Sequence, residues 1–497
     1  MDAAYTELKR RLSEIHDLEK AHELLYWDQV VMMPPGGAAV RADARATLAR
    51  HTHDLSIDAE IGHLLDRLEP LAESLPYDSD EASLIRVARR DWEKARKVPT
   101  ELAAEIAKVT ADAEEAWTAA RSDSDFAAFR PWLDRVLELK RRYVECFAPY
   151  DDPYDPLLDD YEPGMKTAEV RMVFDRLKEE LVSLIASAAT NDEDPFMHGP
   201  FPVERQHELS LELIERFGFE RRAYRLDTTV HPFCSSLSTE DIRLTTRYTE
   251  DELTSLFTAM HECGHGLYEH GISRALERTP LCDGTSSALH ESQSRLWENV
   301  VGRSRPFWRW FFPSVQLAFP DVLADVDSEA FYRAVNRVRP SFIRVDADEA
   351  TYGLHIILRF ELEQELISGR LSTADLPEAW NARVEEYLGI EVPEDRLGVL
   401  QDVHWSGGSF GYFPTYQLGN VISLQIWERV KEAVPEVEAQ VERGEFGQLH
   451  EWLRANVYAH GRKYLPQELL ERVVGGPLDP EPYLRYLHAK FGSPVAA

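Results

Sequence analysis

The sequence contains few cysteines, few lysines and no long hydrophobic run. Only four of its 497 residues are cysteine, and none forms a C-x-x-C pair, which argues against a disulfide framework and a cysteine-based zinc site. No stretch of 18 apolar residues occurs, so no membrane span is expected. The first 20 residues lack the apolar core of a signal peptide. These absences predict a cytoplasmic location.

The charge balance is strongly acidic. The chain has 88 acidic and 55 basic residues, a net charge of -33, and only 11 of the basic residues are lysine. Such a surface repels nucleic-acid phosphates and anionic membranes, so neither is expected as a partner. An acidic, lysine-poor surface suits a salt-rich cytoplasm, where ions screen its self-repulsion. The sequence therefore favours a halophilic protein over an ordinary acidic cytosolic enzyme.

Helical periodicity runs through most of the chain. Leu8, Leu12 and Ile15 begin the first apolar stripe at helical spacing. This helix is expected to end near residues 33–37 (MPPGG), because proline and glycine together break helices. We predict a mainly α fold: one large helical body over residues 1–497 with a cleft. Its N-terminal helical part would cover about residues 1–150, and its catalytic part about residues 220–420.

A short segment with a different pattern interrupts the helices. Residues 224–229 are predicted to form a short strand. In residues 242–248 (IRLTTRY), alternation and β-branched side chains also favour a strand. A small β-sheet is therefore expected next to the helix that follows.

That helix carries the sequence His261-Glu262-Cys263-Gly264-His265, an H-E-x-x-H motif. Two histidines four residues apart lie on the same helix face, so both imidazoles can bind one metal ion. The glutamate between them can deprotonate a water on that ion. The bland alternative is two histidines that only form hydrogen bonds in a helical core.

The boundaries of this helix can also be predicted. Thr249 and Glu252 have the spacing of a capping box, which places the start of the helix there. Gly271 is expected to end it.

A catalytic zinc ion usually has three protein ligands and one open position. The third is expected from His290-Glu291-Ser292-Gln293, at the start of a second amphipathic helix. We favour Glu291, because no third histidine follows at the closer metzincin spacing; His290 is the competing candidate. The predicted ligands are thus His261, His265 and Glu291.

Six further segments accompany the motif in a characteristic order. These are Trp27-Asp28-Gln29 with Met32-Met33-Pro34, His231-Pro232-Phe233, Asp241-Ile242-Arg243-Leu244-Thr245, His290-Glu291-Ser292-Gln293, Ile343-Arg344-Val345-Asp346-Ala347-Asp348, and GVLQDVHW at residues 398–405. With these segments the chain resembles, nearly end to end, the thermostable zinc carboxypeptidase family typified by the Taq enzyme. The resemblance implies a metallocarboxypeptidase of broad specificity that tolerates proline poorly. It also implies a mostly helical homodimer with a deep substrate groove and a zinc ion that cobalt can replace.

Roles follow for the remaining candidate residues. Glu262 would act as general base and then as general acid. His404 is the first candidate for a donor to the oxyanion, followed by Tyr412 and Tyr416 in a glycine-rich loop that can close over a substrate. The alternative is that these aromatic side chains only pack the loop.

A carboxypeptidase must also bind the free carboxylate of a peptide. The planar guanidinium group suits this task, and Arg344 is the best candidate, with Arg243 second. Arg344 could instead pair with Asp346 or Asp348. Residues 231–233, beginning with His231, would close one end of the groove.

Two other functions remain open. An aminopeptidase or oligopeptidase could use the same helix, although the G-x-M-E-N segment typical of aminopeptidases is absent. A zinc-stabilised or peptide-binding protein without turnover is the second alternative. Glu262 argues against it, because a purely structural zinc site does not need a base.

Overall fold

The computed structural model describes residues 3–190 and 194–492 and is built mainly of helices, as predicted. It divides into two compact units, each assembled from three stretches of the chain. The first comprises Met1–Arg96, Asp194–Val335 and Ile426–Gly476, and the second Lys97–Glu193, Asn336–Gln425 and Pro477–Ala497. Within the described residues, no helix is both long and apolar enough to cross a membrane.

The helices and strands are numbered here in chain order. They are α1 (Ala3–Val31), α2 (Ala38–Ser56), α3 (Ala59–Ser74), α4 (Asp80–Lys97), α5 (Thr100–Asp123), α6 (Phe126–Glu145), α7 (Asp155–Leu158), α8 (Thr167–Ala188), α9 (Val203–Arg216), β1 (Tyr224–Thr228), β2 (Cys234–Ser238), β3 (Asp241–Thr246), α10 (Thr254–Gly271), α11 (Ser287–Arg295), α12 (Arg305–Ala318), α13 (Pro320–Leu323), α14 (Ser328–Val335), α15 (Tyr352–Ser368), α16 (Leu376–Leu388), α17 (Phe413–Ala433), α18 (Val437–Val441), α19 (Gly447–Asn456), α20 (Pro466–Val474) and α21 (Glu481–Phe491).

The N-terminal helices of the first unit share one apolar core. Leu8 of α1, Leu65 of α3 and Leu84 of α4 are among its fully buried side chains. The expected end of α1 is confirmed: the helix stops at Val31, just before the prolines, because proline lacks the N–H group that would continue it.

The sheet of the first unit has the order β1-β3-β2. β1 pairs with β3 in parallel, with Tyr224 opposite Ile242, and β2 pairs with β3 antiparallel. Both predicted strands are present, whereas β2 was not expected. Ile242 and Leu244 are fully buried, and β3 packs against α10, so the sheet supports the helix that carries the H-E-x-x-H motif.

The predicted start of α10 is wrong. The helix begins at Thr254, and neither Thr249 nor Glu252 caps it. The backbone before it pairs with a distant segment instead: the N–H of Gly199 donates to Asp251 O at 2.8 Å, and that of Phe201 donates to Glu250 O at 2.8 Å. These carbonyl groups therefore form long-range bonds outside the helix. The predicted end at Gly271 is confirmed.

The second unit contains α15, a helix that is buried on almost every side. Its buried side chains include two charged groups, Arg359 and Glu363. The acidic segment around α7 is also packed down, because Tyr154 and Leu157 are fully buried. Since a buried charge is costly without partners, both groups on α15 need hydrogen bonds.

Candidate metal centre

Three side chains of the first unit converge on one point. The Nε2 atoms of His261 and His265 lie 3.6 and 3.3 Å from the same carboxylate oxygen of Glu291. A tetrahedral zinc ion with bonds of about 2.0–2.2 Å places its ligands about 3.3–3.6 Å apart. Among the described residues this is the only such group of three ligands, and two imidazoles with a carboxylate fit a divalent transition metal.

Close contact between α10 and α11 makes this geometry possible. A Cβ atom on Gly264 would lie 2.6 Å from the carbonyl oxygen of Gln293, so the motif needs glycine at this position. The start of α11 is fixed by Ser286, whose side chain accepts a hydrogen bond of 3.1 Å from the N–H of Leu289. Glu291 is thereby held on the helical turn that faces the two histidines.

A second layer of side chains holds the imidazole rings. The Nδ1 atom of His261 lies 2.9 Å from Glu298, which belongs to a π-helical turn, Leu296–Val301, directly after α11. On the other side, His265 Nδ1 lies 2.5 Å from His290 Nδ1, and His290 Nε2 lies 2.9 Å from Glu269. His290 is thus placed behind His265 and outside the group of three ligands.

The electrostatic environments of the two central glutamates differ. Burial raises the pKa of Glu262 to about 7, with Glu291 adding to the shift and His261 opposing it. Burial alone would also raise the pKa of Glu291, but Arg295 and the two histidines outweigh it and hold that pKa well below its usual range. Arg295 Nε donates to Glu291 at 2.6 Å. Burial therefore favours the neutral form of Glu262, whereas Arg295 and the histidines favour the ionised form of Glu291.

The second unit contains four of the other predicted site residues, His404, Tyr412, Tyr416 and Arg344. The ring of His404 stacks on Tyr412, with centroids 5.6 Å apart, and its Nε2 lies 3.4 Å from the hydroxyl of Tyr416. Arg344 lies over the Tyr416 ring, 5.0 Å from the centroid. Burial lowers the pKa of His404 to about 4, with two nearby arginines adding to the shift and Asp402 opposing it, so this imidazole is neutral at neutral pH.

Arg344 is bound by a partner that the sequence did not suggest. Its guanidinium group donates to Asp402, with Nη2 at 2.8 Å, and to the hydroxyl of Tyr352 at 3.1 Å. Asp402 also accepts from Arg359 Nε at 2.8 Å. The ion pair that had been an alternative for Arg344, with Asp346 or Asp348, is therefore replaced by one with Asp402, 58 residues away.

The two remaining candidates lie on or beside the sheet of the first unit. Arg243 on β3 forms a two-pronged pair with Asp241, at 2.6 and 3.0 Å, and its guanidinium lies over the ring of Trp27. His231 is exposed between β1 and β2. Across the described residues, no hydrogen bond or ring contact joins His231 to the three candidate ligands.

Sequence reasoning missed three of the carboxylates that organise these clusters. Glu298 could have been found, because it follows Glu291 by seven residues and so falls on the same helix face. Glu269 likewise follows His265 by four residues on α10. Asp402 gave no such signal, because its partners come from distant parts of the chain.

Comparison with known proteins identifies the family. The family described as carboxypeptidase Taq (M32) metallopeptidase matches residues 7–491. The chain is 42% identical to thermostable carboxypeptidase 1 of Thermus thermophilus over 99% of both chains, and 37% identical to carboxypeptidase 1 of Bacillus subtilis over 97% of both.

A solved structure points the same way. The M32 carboxypeptidase of Deinococcus radiodurans superposes with a TM-score of 0.95 at 41% identity, over 99% of both chains. The family predicted from the sequence segments is therefore confirmed. The chain belongs to the carboxypeptidase Taq (M32) family of metallopeptidases and is a metallocarboxypeptidase.

Proposed function

We propose that this metallocarboxypeptidase uses zinc to hydrolyse the C-terminal bond of peptides, with broad specificity and with proline disfavoured. The observation that carries the proposal is the group of His261, His265 and Glu291, with the buried Glu262 beside it. Two imidazoles and one carboxylate leave a fourth position of a tetrahedral ion for water or substrate. Cobalt(II), which accepts the same donors, is expected to substitute.

The chemistry divides between the ion and the chain. When bound, the metal supplies Lewis acidity, which acidifies water and polarises the scissile carbonyl group. Glu262 accepts the proton of the attacking water and then delivers it to the leaving amine. Burial favours the neutral form of Glu262, which helps it to accept the proton of the water.

The oxyanion needs hydrogen-bond donors as well. We assign this role to His404, supported by Tyr412 and Tyr416. The low pKa of His404 keeps the imidazole neutral, and the hydroxyl of Tyr416 lies within 3.4 Å of its ring. A neutral imidazole N–H and a phenol can both donate without adding a full charge to the site.

The free carboxylate of the substrate would be bound by Arg344, with Arg243 as the second candidate, and His231 would close the groove. Both arginines carry acidic partners, Asp402 and Asp241, that fix the plane of the guanidinium group. A fixed guanidinium loses less conformational entropy when it binds a carboxylate.

We also propose the cellular setting. The four cysteines are unpaired in the described structure, which suits a reducing cytoplasm. Peptides would be the only partners apart from a second copy of the chain in a homodimer, and a net charge of -33 disfavours nucleic acids. The same charge supports a halophilic protein, and residues 1–497 would act as a single metallocarboxypeptidase domain.

One assay tests the function directly. Three versions of one peptide would be compared: N-acetylated with a free C-terminus, C-amidated, and unmodified. The enzyme would be wild type, Glu262→Gln, or the control Glu252→Gln, an exposed glutamate before the same helix. We expect wild type to release the C-terminal residue from the acetylated and the unmodified peptides, which have a free carboxylate, and not from the amidated peptide. Glu262→Gln should lower kcat by about 10²–10⁴-fold with metal content unchanged.

Two results would contradict the proposal. Cleavage of the amidated peptide but not the acetylated one would indicate an aminopeptidase. Equal turnover by wild type and Glu262→Gln would exclude Glu262 as the base. The control variant should behave like wild type, which shows that loss of a nearby charge does not by itself reduce activity.

A further inference from the structure

Glu363 on α15 is a fully buried carboxylate that the proposed mechanism does not use. Among the described residues, no lysine or arginine forms an ion pair with it. Three neutral groups donate to it instead: Trp405 Nε1 at 2.7 Å to one oxygen, and the Tyr154 hydroxyl at 2.5 Å and the Gly411 N–H at 3.0 Å to the other. Because a buried charge without an ionic partner is costly, this group is more than a filler of the core.

The three donors identify what the carboxylate holds. Trp405 and Gly411 are the two ends of the glycine-rich loop 405–411, and both bind the same side chain. His404 directly precedes this loop, and Tyr412 directly follows it. Tyr154 lies next to α7 and ties the carboxylate to a segment distant in sequence. Glu363 is thus bonded to the residues next to His404 and Tyr412, two of the three proposed oxyanion donors.

The conformation of loop 405–411 is restricted by its backbone and by ring contacts. Gly411 has a φ of +91°, and a Cβ atom there would lie 2.3 Å from the carbonyl oxygen of Leu157. Inside the loop, the Trp405 ring stacks on Phe410 with an interplanar angle of 3°. On its far side, Tyr412 contacts Tyr161, with ring centroids 5.0 Å apart. The backbone at Gly411 and the indole of Trp405 are therefore fixed together on one acceptor.

We propose that Glu363 is a positioning residue of the active site: its carboxylate sets the distance between His404 and Tyr412 by holding both ends of the loop that joins them. Burial raises the pKa of Glu363 to about 7, and the three hydrogen bonds oppose this rise because they stabilise the ionised form. The ionised carboxylate only accepts hydrogen bonds and can receive all three donors. A glutamine of the same shape would turn its NH₂ group toward at least one donor and lose that bond. This inference rests on the proposed role of His404 and the tyrosines.

The test compares Glu363→Gln with Glu365→Gln. Glu365 lies on the same helix, but its side chain pairs with Arg383 at 2.8 Å and does not contact the loop. We expect Glu363→Gln to lower kcat about 10- to 100-fold while KM changes little, because a donor displaced by about 1 Å loses mainly transition-state stabilisation. Glu365→Gln should retain the wild-type kcat. Metal content should be the same in all three proteins.

A second measurement separates positioning from general weakening of the fold. A phosphinic peptide mimics the tetrahedral transition state. Its dissociation constant should rise in Glu363→Gln by the same factor by which kcat/KM falls. A product dipeptide should bind as it does to wild type. Tyr154→Phe keeps the carboxylate and the ring but removes one donor, and it should give a smaller loss of kcat. Because both changes act through one carboxylate, the double variant should show no further loss beyond Glu363→Gln.

The outcomes are distinguishable. Wild-type kcat in both Glu363→Gln and Tyr154→Phe would overturn the inference. So would an equal loss of affinity for the phosphinic peptide and the product dipeptide, since that pattern indicates general damage. His404→Asn and Tyr412→Phe test the underlying function: if they retain full activity, the assignment of the oxyanion donors is wrong. If they lose activity while Glu363→Gln does not, only the positioning role is wrong.

Discussion

The Nδ1 atom of His261 lies 2.9 Å from a carboxylate oxygen of Glu298. A carboxylate ion only accepts hydrogen bonds, so Nδ1 carries the hydrogen and leaves the lone pair of Nε2 directed at the metal position. Glu298 is itself fixed: Arg303 Nη2 donates to its other oxygen at 3.3 Å. Burial would raise the pKa of Glu298, but the hydrogen bond from His261 and the charges of Arg295 and Arg303 outweigh it and hold the pKa at about 2, so Glu298 stays ionised.

This relationship predicts that Glu298→Gln binds metal more weakly, although Glu298 is not a ligand. An amide accepts a weaker hydrogen bond, so the His261 ring is less firmly oriented and less basic. We expect the dissociation constant for Zn²⁺ to rise about 10- to 100-fold, measured by competition with a chromogenic chelator. Glu329→Gln, which changes a half-buried glutamate paired with Arg305, is the control and should bind like wild type. An unchanged affinity in Glu298→Gln would exclude this role.

The two candidate carboxylate-binding arginines can be separated by conservative exchange. Arg344→Lys keeps the charge but removes the planar fork that binds a carboxylate at two points. We expect kcat/KM for a peptide with a free C-terminus to fall about 10- to 100-fold, the loss typical of a charge-assisted pair. Arg243→Lys is the matched comparison and should have a smaller effect. If Arg243→Lys instead gives the larger loss, the two assignments must be exchanged.

The spacing of residues in the sequence predicted helix α10 correctly, but it predicted the wrong first residue. His261 and His265 could be assigned to one helix face because an interval of four residues fixes their direction. The start failed because residues 250 and 251 use their carbonyl groups to bind residues 199 and 201, a pairing with no local signal. Strand β2 was missed for a related reason: it exists because β3 lies beside it.

Two buried pairings, those of Glu363 and of Arg344, were also out of reach of local pattern. Glu363 is separated from Trp405 by 42 residues and from Tyr154 by 209, so no helical or strand period links them. Similarly, nothing near Arg344 in sequence indicated that Asp402 would be its partner, and the closer Asp346 and Asp348 were considered instead. The chemistry of each residue type was readable from the sequence, whereas the pairing of buried charges depends on the tertiary fold.

The acidic surface predicts a protein that salt stabilises. At a net charge of -33 the acidic groups of the folded chain repel one another. Salt shortens the range of this repulsion, the Debye length, from about 10 Å at 0.1 M to about 3 Å at 1 M. We therefore expect the Tm to rise steadily as KCl increases from 0.1 to about 2 M. A Tm that stays constant or falls over this range would contradict the halophilic proposal.

One pair of side chains offers a local check of this explanation. Glu69 and Glu73 lie four residues apart on α3, both exposed, and neither forms an ion pair among the described residues. Replacing both with glutamine should stabilise the protein at low salt by about 0.2–0.5 kcal/mol, the usual cost of a like-charged pair at this spacing. The gain should disappear at about 2 M KCl, because the pair is already screened there.

His355 on α15 predicts how stability responds to acid. It is 1% exposed, and burial together with the charges of Arg359 and Arg344 lowers its pKa to about 3. In the unfolded chain a histidine titrates near 6.5, so between these two pKa values the unfolded state binds up to one proton more than the folded state. The free energy of unfolding must then decrease as the pH falls from about 6.5 toward about 3, by up to about 1.4 kcal/mol per pH unit from this group.

His355→Phe should remove that contribution. Between pH 6.5 and 5, where carboxylates in the unfolded chain remain mostly ionised, the slope of unfolding free energy against pH should be smaller in the variant than in wild type. Urea titrations at several pH values would measure both slopes. His198→Gln, which replaces an exposed histidine, is the control and should keep the wild-type slope. Identical slopes for wild type and His355→Phe would mean that His355 takes up its proton equally in both states, contrary to its burial beside two guanidinium groups.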